Sequence, residues 1–290
     1  MPELIPYDAR DGYIWLDGEL VPWREARLHV LSHGLHYASC VFEGERAYGG
    51  RVFKLDEHSQ RLLDSARMLG FEIPYSLEEI NAATCEVVRA NGLSDCYVRP
   101  VAWRGSEQMG VSAHGTTIHL AIAAWEWGAY YRDLKLTRAI FRRPAPDTAP
   151  VHAKAAGLYM ICTLSKHAAE AKGFEDALML DYRGYVAETT GANIFLVLEG
   201  ALHTPIPDCF LNGITRQTVI ALARRRGIPV VERHIRPEEL RQAQEVFVTG
   251  TAAEITPVRA IDDLRYQVGP ITAALMDDFH ALTRGQAEAA

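Results

Sequence analysis

Apolar and polar residues alternate near the start of the chain, in a pattern that is typical of antiparallel strands. The alternation over residues 13–20 is interrupted by an Asp-Gly pair at 17–18, which predicts a hairpin with a tight turn. A second hairpin is predicted over residues 41–54, where a Gly-Gly pair at 49–50 supplies the turn. We therefore expect the chain to open with antiparallel strands.

The pattern then changes to a helical period. Asp56 is predicted to cap a helix over residues 57–69, and Gly70 is predicted to end it. Ser76 and Glu79 form a capping box, which predicts a second helix that ends near residues 91–92. Two strands rich in β-branched and aromatic residues are predicted over residues 97–103 and 117–125. Together these elements predict a first α+β layer.

The pattern breaks around residues 128–133, and a second set of elements follows. Strands are predicted over residues 134–141, 177–180, 194–198, 230–234 and 245–248, and helices near 156–172, 214–226 and 270–284. We therefore expect an α+β protein of two domains. The predicted limits are a small N-terminal domain over residues 1–129, a connecting loop over 130–136, and a larger C-terminal domain over 137–290.

Composition narrows the class of protein. The chain has 290 residues and a formal net charge of −7, without a basic stripe that would track a phosphate backbone, so nucleic acid is not expected as a partner. No stretch approaches the roughly 20 apolar residues that a membrane helix needs, and the charged start of the chain lacks the apolar core of a signal peptide. The five cysteines are widely spaced, which favours reduced thiols. We expect a cytoplasmic protein that does not bind membranes.

Lys154 carries the strongest chemical signal. It is one of only five lysines, and it alone lies among small apolar residues, in the segment Val151-His-Ala-Lys-Ala-Ala-Gly157. An ammonium group in such surroundings is costly unless it loses its proton or becomes covalently bound, and both favour attack on a carbonyl. Lys154 is therefore a candidate Schiff-base lysine. The alternative is a lysine whose stem covers an apolar surface while its head reaches water.

Glu188 is a candidate partner for a cofactor on that lysine. It lies in Gly184-Tyr-Val-Ala-Glu-Thr-Thr-Gly-Ala-Asn193, where turn residues separate it from an apolar strand. The acid could simply cap the turn. If Lys154 holds pyridoxal phosphate, however, the ring nitrogen must stay protonated, and a partly buried glutamate is a suitable counter-ion.

Two further segments are candidate phosphate sites. Gly213 precedes a predicted helix whose first free N–H groups belong to Ile214 and Thr215, and helix N-termini bind phosphate. The turn with Gly250 and Thr251 follows an apolar strand and offers backbone N–H groups and a hydroxyl. Either segment could also be an ordinary loop.

Two other classes of protein are alternatives. His29, His33, His36 and Cys40 could hold a metal if their segment were helical, but it lies among strand-like residues without a nearby carboxylate, so no metal is expected. A Schiff-base aldolase without a cofactor would keep Lys154 and leave the phosphate-type turns unexplained.

Several motifs in order along the chain resemble a known family. They are Tyr37-Ala-Ser-Cys-Val-Phe42-Glu-Gly44-Glu-Arg46, Tyr97-Val-Arg99-Pro, Met109-Gly-Val111, Trp127-Gly-Ala-Tyr130, Lys154 with Tyr159, Glu188, Leu211 to Arg216 and Thr249 to Pro257. The set resembles the branched-chain-amino-acid aminotransferases, class IV enzymes of pyridoxal-phosphate fold type IV. This resemblance implies a D-amino-acid aminotransferase-like fold, with a small N-terminal α/β sandwich, a larger β-rich C-terminal domain that carries the lysine, and the cofactor between them.

The resemblance also implies roles for individual residues. For the cofactor pyridoxal 5'-phosphate these are Lys154 as Schiff-base lysine and general base, Glu188 beside the ring nitrogen, Tyr159 beside O3′, and Arg61, Ile214, Thr215 and Thr251 around the phosphate. For the substrate they are Tyr97 with the N–H groups of Thr251, Ala252 and Ala253 at the α-carboxylate, an apolar box of Phe42, Gly44, Trp127, Tyr130 and Tyr159, and Arg99 with Tyr37 at the distal carboxylate of glutamate. Without the resemblance, Arg61 would be read as a solvated helix arginine.

The implied reaction exchanges an amino group between leucine, isoleucine or valine and 2-oxoglutarate by a ping-pong mechanism. Tyr37, Met109 and Val111 would enter from a neighbouring subunit of a homodimer or hexamer. Ala192 and Asn212 depart from the family pattern, which has a glutamate and a proline there. Within the same fold, the alternatives are a D-amino-acid or amine transaminase and an aminodeoxychorismate lyase.

Overall fold

The computed structural model describes residues 5–128 and 134–286. These residues form two compact units. The first unit holds residues 5–128 together with Ala153–Gly157. The second unit holds residues 134–152 and 158–286. The predicted scheme placed Lys154 in the C-terminal domain. Its short segment groups instead with the first unit, because Ala155 forms a bridge to Val41.

The first unit is an antiparallel sheet with two long helices against it. Its strands are β1 (Tyr13–Leu16), β2 (Glu19–Pro22), β3 (Cys40–Phe42), β4 (Glu45–Tyr48), β5 (Arg51–Val52), β6 (Cys96–Arg104) and β7 (Ile118–Glu126), and its helices are α1 (His33–Tyr37), α2 (Leu55–Met68) and α3 (Leu77–Ala90). The sheet order is β2-β1-β7-β6-β4-β5, with β3 also on β6. Apolar residues of α2, α3, β6 and β7 share one buried cluster.

The predicted hairpins, long helices and long strands of this unit form close to their predicted positions, and helix α1 was not predicted. The capping box is present: Glu79 N donates to Ser76 Oγ at 3.2 Å, and Ser76 N donates to the Glu79 side chain at 2.7 Å. Helix α2 begins at Leu55, two residues before the predicted start, and its N-cap is Lys54, not Asp56. Strand β6 extends one residue beyond its predicted limits at each end, and β7 is shifted by one residue toward the C-terminus.

The second unit is built around a nine-stranded mixed sheet. Its strands are β8 (Leu134–Arg138), β9 (Asp176–Leu180), β10 (Val186–Thr189), β11 (Asn193–Leu198), β12 (Ala201–Thr204), β13 (Val230–Glu232), β14 (Glu245–Gly250), β15 (Glu254–Ile261) and β16 (Leu264–Arg265), and its helices are α4 (Met160–Glu170), α5 (Ile214–Arg225) and α6 (Pro270–Thr283). The order is β10-β9-β8-β15-β14-β11-β12-β13. Because β10 also pairs with β11, six strands close into a ring.

Strands β10, β12, β15 and β16 were not predicted. Strand β8 begins at Leu134, which lies inside the connecting loop predicted over residues 130–136. The limits of the two domains remain a prediction. Short 3₁₀ helices cover Tyr7–Ala9, Trp23–Glu25, Ala156–Tyr159 and Pro237–Gln242. Among the described residues, no helix combines the length and the apolar character that crossing a bilayer requires.

Candidate active site

Lys154 is held by its backbone in the first unit. Its N–H donates to Ser65 Oγ at 2.9 Å, and its carbonyl accepts from Phe42 N at 3.1 Å. Ala153 and Ala155 on either side are buried, while Lys154 itself is half-buried. Its Nζ lies 4.9 Å from the centre of the Phe42 ring. The backbone of Lys154 is therefore fixed at both its N–H and its carbonyl, and its Nζ lies over an aromatic face.

One face of helix α2 carries polar side chains toward this segment. His58, Arg61 and Ser65 are spaced three and four residues apart, so they share that face. Arg61 makes a bidentate pair with Glu43, with Nε–Oε1 at 2.6 Å and Nη2–Oε2 at 2.8 Å. His58 Nδ1 bonds the same carboxylate at 2.7 Å. The predicted phosphate ligand Arg61 is therefore fixed by a buried acid and is not a solvated helix arginine.

The charges in this cluster follow from its burial. Burial alone would raise the pKa of Glu43, but the Arg61 charge and the His58 hydrogen bond outweigh burial and hold that pKa well below its usual range. Burial lowers the pKa of His58, although its hydrogen bond to Glu43 acts in the opposite direction. Near pH 7, Glu43 is ionised and His58 is neutral. Arg61 is thus oriented by a full negative charge.

Tyr97 and Arg99, both on strand β6, lie beside Phe42. Arg99 Nη2 donates to the Tyr97 hydroxyl at 2.8 Å, and the Arg99 guanidinium lies 4.7 Å from the Phe42 ring centre. The Tyr97 ring packs against Trp127, with ring centres 4.8 Å apart. A side chain at Gly44 would meet the Tyr97 hydroxyl closer than 3.0 Å, so only glycine leaves room for it. The first unit therefore brings these predicted substrate residues together.

In the second unit, Glu188 is buried and ionically paired. Its Oε1 accepts from Arg143 Nε at 2.6 Å and also contacts Arg143 Nη2. Only 5% of Glu188 and 6% of Arg143 are exposed, so the pair is removed from water. Burial would lower the pKa of Arg143, but the Glu188 charge outweighs burial and raises it, as does the nearby Tyr159. Arg143 stays cationic and holds one oxygen of the carboxylate in place.

The other oxygen of Glu188 bonds Asn193, which lies opposite it across the β10–β11 ladder. Asn193 Nδ2 donates to Glu188 Oε2 at 3.2 Å and to the Leu211 carbonyl at 3.1 Å. Asn193 Oδ1 accepts from Gly213 N at 3.1 Å. Asn193 therefore links the acid to the turn that precedes helix α5.

Helix α5 begins at Ile214, with Gly213 as an N-cap that offers no side chain to the first turn. Ile214 and Thr215, the predicted phosphate donors, are both buried in that turn. Its free N–H groups and the helix dipole favour an anion there. The second predicted turn, with Thr251, Ala252 and Ala253, connects β14 to β15. The two turns follow β12 and β14, and both of these strands pair with β11, the strand beside Glu188.

The remaining predicted residues lie in more varied places. Tyr37 is 44% exposed and stacks on His33, with ring centres 4.6 Å apart. Met109 and Val111 are exposed. Tyr130 lies outside the described residues.

Each departure from the family pattern has a local structural role. Ala192 packs in the apolar cluster of the second unit. Asn212 accepts from Arg216 Nη1 at 2.9 Å through Oδ1 and from Gln217 Nε2 at 3.1 Å through its carbonyl. Asn212 therefore ties the turn to helix α5 by hydrogen bonds, where a proline would restrict its backbone.

The histidines considered as metal ligands are engaged in hydrogen bonds. His33 bonds Ser39 Oγ at 2.6 Å and the Gly110 carbonyl at 2.8 Å, and His36 bonds the Val30 carbonyl at 2.8 Å. Within residues 5–128 and 134–286, the clustered ligand atoms are instead those of Asp181, Asp208 and Cys209. Arg183 pairs with both of these aspartates, so their charges are already compensated.

Four residues with roles at these sites were not singled out by their sequence positions. They are Glu43, His58, Arg143 and Asn193. Asn193 stood at the end of the Glu188 segment, and its place directly opposite an acid across a short turn is the signal that could have identified it. Arg143 is distant in sequence, and only the requirement that a buried acid has a cationic partner pointed to such a residue.

Comparison with known proteins agrees with this geometry. The chain matches the amino-transferase class IV family over residues 40–261. It is 44% identical to a branched-chain-amino-acid aminotransferase of Pseudomonas aeruginosa, over 97% of this chain and 95% of that protein. A branched-chain aminotransferase of Thermoproteus uzoniensis, solved with norvaline, has a TM-score of 0.94 and 41% identity, and the match covers 96% of this chain and 97% of that chain.

A second solved structure carries a cofactor derivative. It is a branched-chain amino acid aminotransferase complexed with N-(5'-phosphopyridoxyl)-L-glutamate, and its TM-score is 0.91 at 40% identity, over 96% of each chain. These similarities confirm the predicted fold type IV. The chain belongs to the class IV aminotransferase family.

Proposed function

We propose that this enzyme transfers the amino group between leucine, isoleucine or valine and 2-oxoglutarate, with Lys154 as the covalent anchor of pyridoxal 5'-phosphate. The observation that carries the proposal is the setting of Lys154, half-buried between two buried alanines with Nζ 4.9 Å from the Phe42 ring centre. An amine in that setting is suited to covalent bonding to an aldehyde. Relatives over nearly the whole chain are named for branched-chain substrates.

The residues of the second unit fit the cofactor. Thr249 is 1% exposed, and its Oγ1 is buried without a hydrogen-bond partner among the described residues. Thr249 lies opposite Asn193, and Asn193 lies opposite Glu188, so the three side chains share one face of the sheet. An unsatisfied hydroxyl in a row with a buried acid suits a site that receives a polar ligand.

Pyridoxal phosphate, when bound, supplies an electron sink for the electron pair that remains when the substrate loses its Cα proton. Glu188 would accept a hydrogen bond from the protonated ring nitrogen, and Arg143 fixes one oxygen of its carboxylate for that role. We assign Arg61, Ile214, Thr215 and Thr251 to the phosphate group and Tyr159 to the O3′ oxygen.

Lys154 would then move the proton. Lys154 Nζ, when free, would be the base that takes the Cα proton of the substrate and delivers it to the cofactor's C4′ on the same face. Its backbone is tied at both N–H and carbonyl, so only the side chain moves. This restriction keeps the amine close to the reacting carbon.

We assign substrate selection to Phe42 and the residues around it. Phe42, Gly44, Trp127, Tyr130 and Tyr159 would form the apolar box, and Tyr97 with the Thr251–Ala253 turn would hold the α-carboxylate. Arg99 is the candidate for the distal carboxylate of glutamate, together with Tyr37. Its Nε is buried and makes no hydrogen bond to the described residues, so a donor is available for that carboxylate.

A single-turnover experiment tests the reaction. Holoenzyme mixed with L-leucine alone should release one equivalent of 2-oxo acid per active site, because the first half-reaction needs no acceptor. D-leucine and L-alanine serve as controls for the alternative transaminases and should react far more slowly. The proposal fails if no oxo acid forms before 2-oxoglutarate is added, or if D-leucine reacts faster.

We further propose a homo-oligomer, at least a dimer, in which the exposed Tyr37, Met109 and Val111 complete the active site of a neighbouring subunit. A cytoplasmic location is also proposed. It is supported by the free thiols of Cys40, Cys85, Cys96, Cys162 and Cys209, which are usual where the environment is reducing.

A further inference from the structure

We propose that Asn193 is a positioning residue that sets, with one amide group, both the acid at the cofactor's ring nitrogen and the turn at its phosphate. The inference rests on the proposed function and adds a residue to it.

The Asn193 amide is fully used by these two structures. Of its two N–H donors, one reaches Glu188 Oε2 at 3.2 Å and the other the Leu211 carbonyl at 3.1 Å. Its oxygen accepts from Gly213 N at 3.1 Å. Since Asn193 is only 4% exposed, water does not replace these partners. Any shift of the turn therefore breaks a bond to the same group that orients the acid.

The two ends of this link are rigid. Asn193 begins β11, and its backbone is paired on one side with Glu188 of β10 and on the other with Thr249 of β14. Glu188 has its second oxygen fixed by Arg143. The side chain of Asn193 thus projects from a strand between strands, which is the kind of support that preserves a site to within fractions of an ångström.

The space around Gly213 gives an independent observation. A Cβ on Gly213 would meet Asn193 Oδ1 closer than 3.0 Å, while its next neighbours lie at 3.5 Å or more. The backbone of Gly213, with φ −59° and ψ 141°, suits any residue. Glycine is therefore required here for the close approach of Asn193 and not for backbone freedom.

The functional consequence concerns the phosphate specifically. Gly213 N and Leu211 O fix the turn that leads into Ile214 and Thr215, so removal of the Asn193 amide releases the phosphate cradle. Pyridoxal, which lacks the phosphate, reaches Lys154 and Glu188 without using that turn. Loss of Asn193 should therefore weaken binding of pyridoxal phosphate more than binding of pyridoxal.

The test compares the dissociation constants of both aldehydes, measured by absorbance titration of apoprotein. In Asn193→Ala, the preference for pyridoxal phosphate over pyridoxal should fall about tenfold, as expected when a turn loses a hydrogen bond. Thr204→Val is the matched control, because it removes one buried hydrogen bond next to Asn193, from Thr204 Oγ1 on β12 to the Ile194 carbonyl on β11 at 2.9 Å. Its preference should equal that of the wild type. An unchanged preference in Asn193→Ala overturns the proposal.

A second pair of variants tests the same link from the turn. Gly213→Ala should also reduce the preference for the phosphorylated aldehyde, whereas adding Gly213→Ala to Asn193→Ala should cost little more, because the clashing oxygen is gone. Independent, additive effects would contradict the link. If Asn193→Ala does not fold, an unchanged preference in Gly213→Ala alone is sufficient to overturn it.

Failure of the positioning role can be separated from failure of the proposed function. Wild-type protein that gains no borohydride-fixed label on Lys154 refutes the function itself. Wild-type protein that is labelled, with an aldehyde preference that Asn193→Ala leaves intact, refutes only the role of Asn193.

Discussion

At the scale of single residues, Glu45 is a carboxyl group in an unfavourable place. It is fully buried, and neither of its oxygens has a hydrogen-bond partner within the described part of the chain. Burial and the neighbouring Glu43 charge raise its pKa well above the ordinary value, although Arg61 acts against them. We therefore expect Glu45→Leu to increase the free energy of unfolding at pH 7 by about 1–3 kcal/mol. Urea denaturation measures this change, and the exposed Glu72→Leu is the control.

The gain should depend on pH in a definite direction. Below the ordinary pKa of a glutamate, the carboxyl is protonated in both the folded and the unfolded chain, so ionisation contributes nothing to the difference. As pH rises, the unfolded chain ionises first and the wild type loses stability until the folded carboxyl also ionises. The advantage of Glu45→Leu should therefore grow from about pH 4 to about pH 7, because a free glutamate ionises near the lower value. A constant difference would contradict a protonated Glu45.

Arg143 supports Glu188 through charge. Arg143→Gln leaves a buried carboxylate without its cation, so the free energy of unfolding should fall by about 3–5 kcal/mol. Arg142→Gln is a close control, because Arg142 is exposed and makes one long hydrogen bond, 3.3 Å, to the Tyr182 carbonyl. Both variants are compared by urea unfolding of the apoprotein. Equal effects of the two substitutions would show that the buried pair has no special weight.

The sequence could predict residues whose neighbours along the chain are unusual. Lys154 stood among alanines, and Glu188 stood before a turn, so both were identified as candidates. Glu43 and His58 were not assigned roles, because their importance comes from a contact between the β3–β4 link and helix α2. Arg143 meets Glu188 across 45 positions of sequence. No local pattern records a partner at that separation.

At the scale of elements, helix α3 tests how much a cap contributes. Ser76→Ala removes the acceptor for Glu79 N and should lower the free energy of unfolding by about 1 kcal/mol. The double variant Ser76→Ala/Glu79→Ala should lose less than the sum of the two single losses, because the box is reciprocal. Thermal or urea unfolding measures all three. Strict additivity would mean that the two hydrogen bonds act independently.

Elements bounded by capping residues or turn glycines were predicted, and elements without such local signals were missed. The capping box and the paired glycines of the second hairpin are local signals, and both were correct. Strand β15 was missed because Pro257 and a run of small residues resemble a loop, yet Pro257 lies opposite Phe247 in the ladder. Strand β12 has four residues, too few to show an alternation that stands out.

At the scale of the whole molecule, the proposed sharing of active sites can be tested by subunit mixing. Lys154→Ala and the double variant Met109→Asp/Val111→Asp should each be nearly inactive. When the two variants are refolded together in equal amounts, half of the dimers contain one subunit of each variant. Each mixed dimer has one intact site of two, so activity should return to about a quarter of the wild-type value. No recovery would contradict a site shared between subunits.

The two-unit division was foreseeable from the break in pattern near residues 128–133, but the closed ring of the second unit was not. Ring closure depends on β10 pairing with both β9 and β11, and on parallel contacts of β8 with β9 and β15. These pairings join segments distant in sequence. Because strand periodicity shows which residues face inward but not which strand lies alongside, the sheet order had to come from the structure.

The account depends most on Lys154 being the covalent anchor of the cofactor. Borohydride reduction of the holoenzyme, followed by proteolysis and mass spectrometry, measures this directly. We predict a single phosphopyridoxyl addition on the peptide that contains Lys154, with none on Lys54, Lys135, Lys166 or Lys172 and none in Lys154→Ala. A label on another lysine, or transamination that persists in Lys154→Ala, would contradict the account.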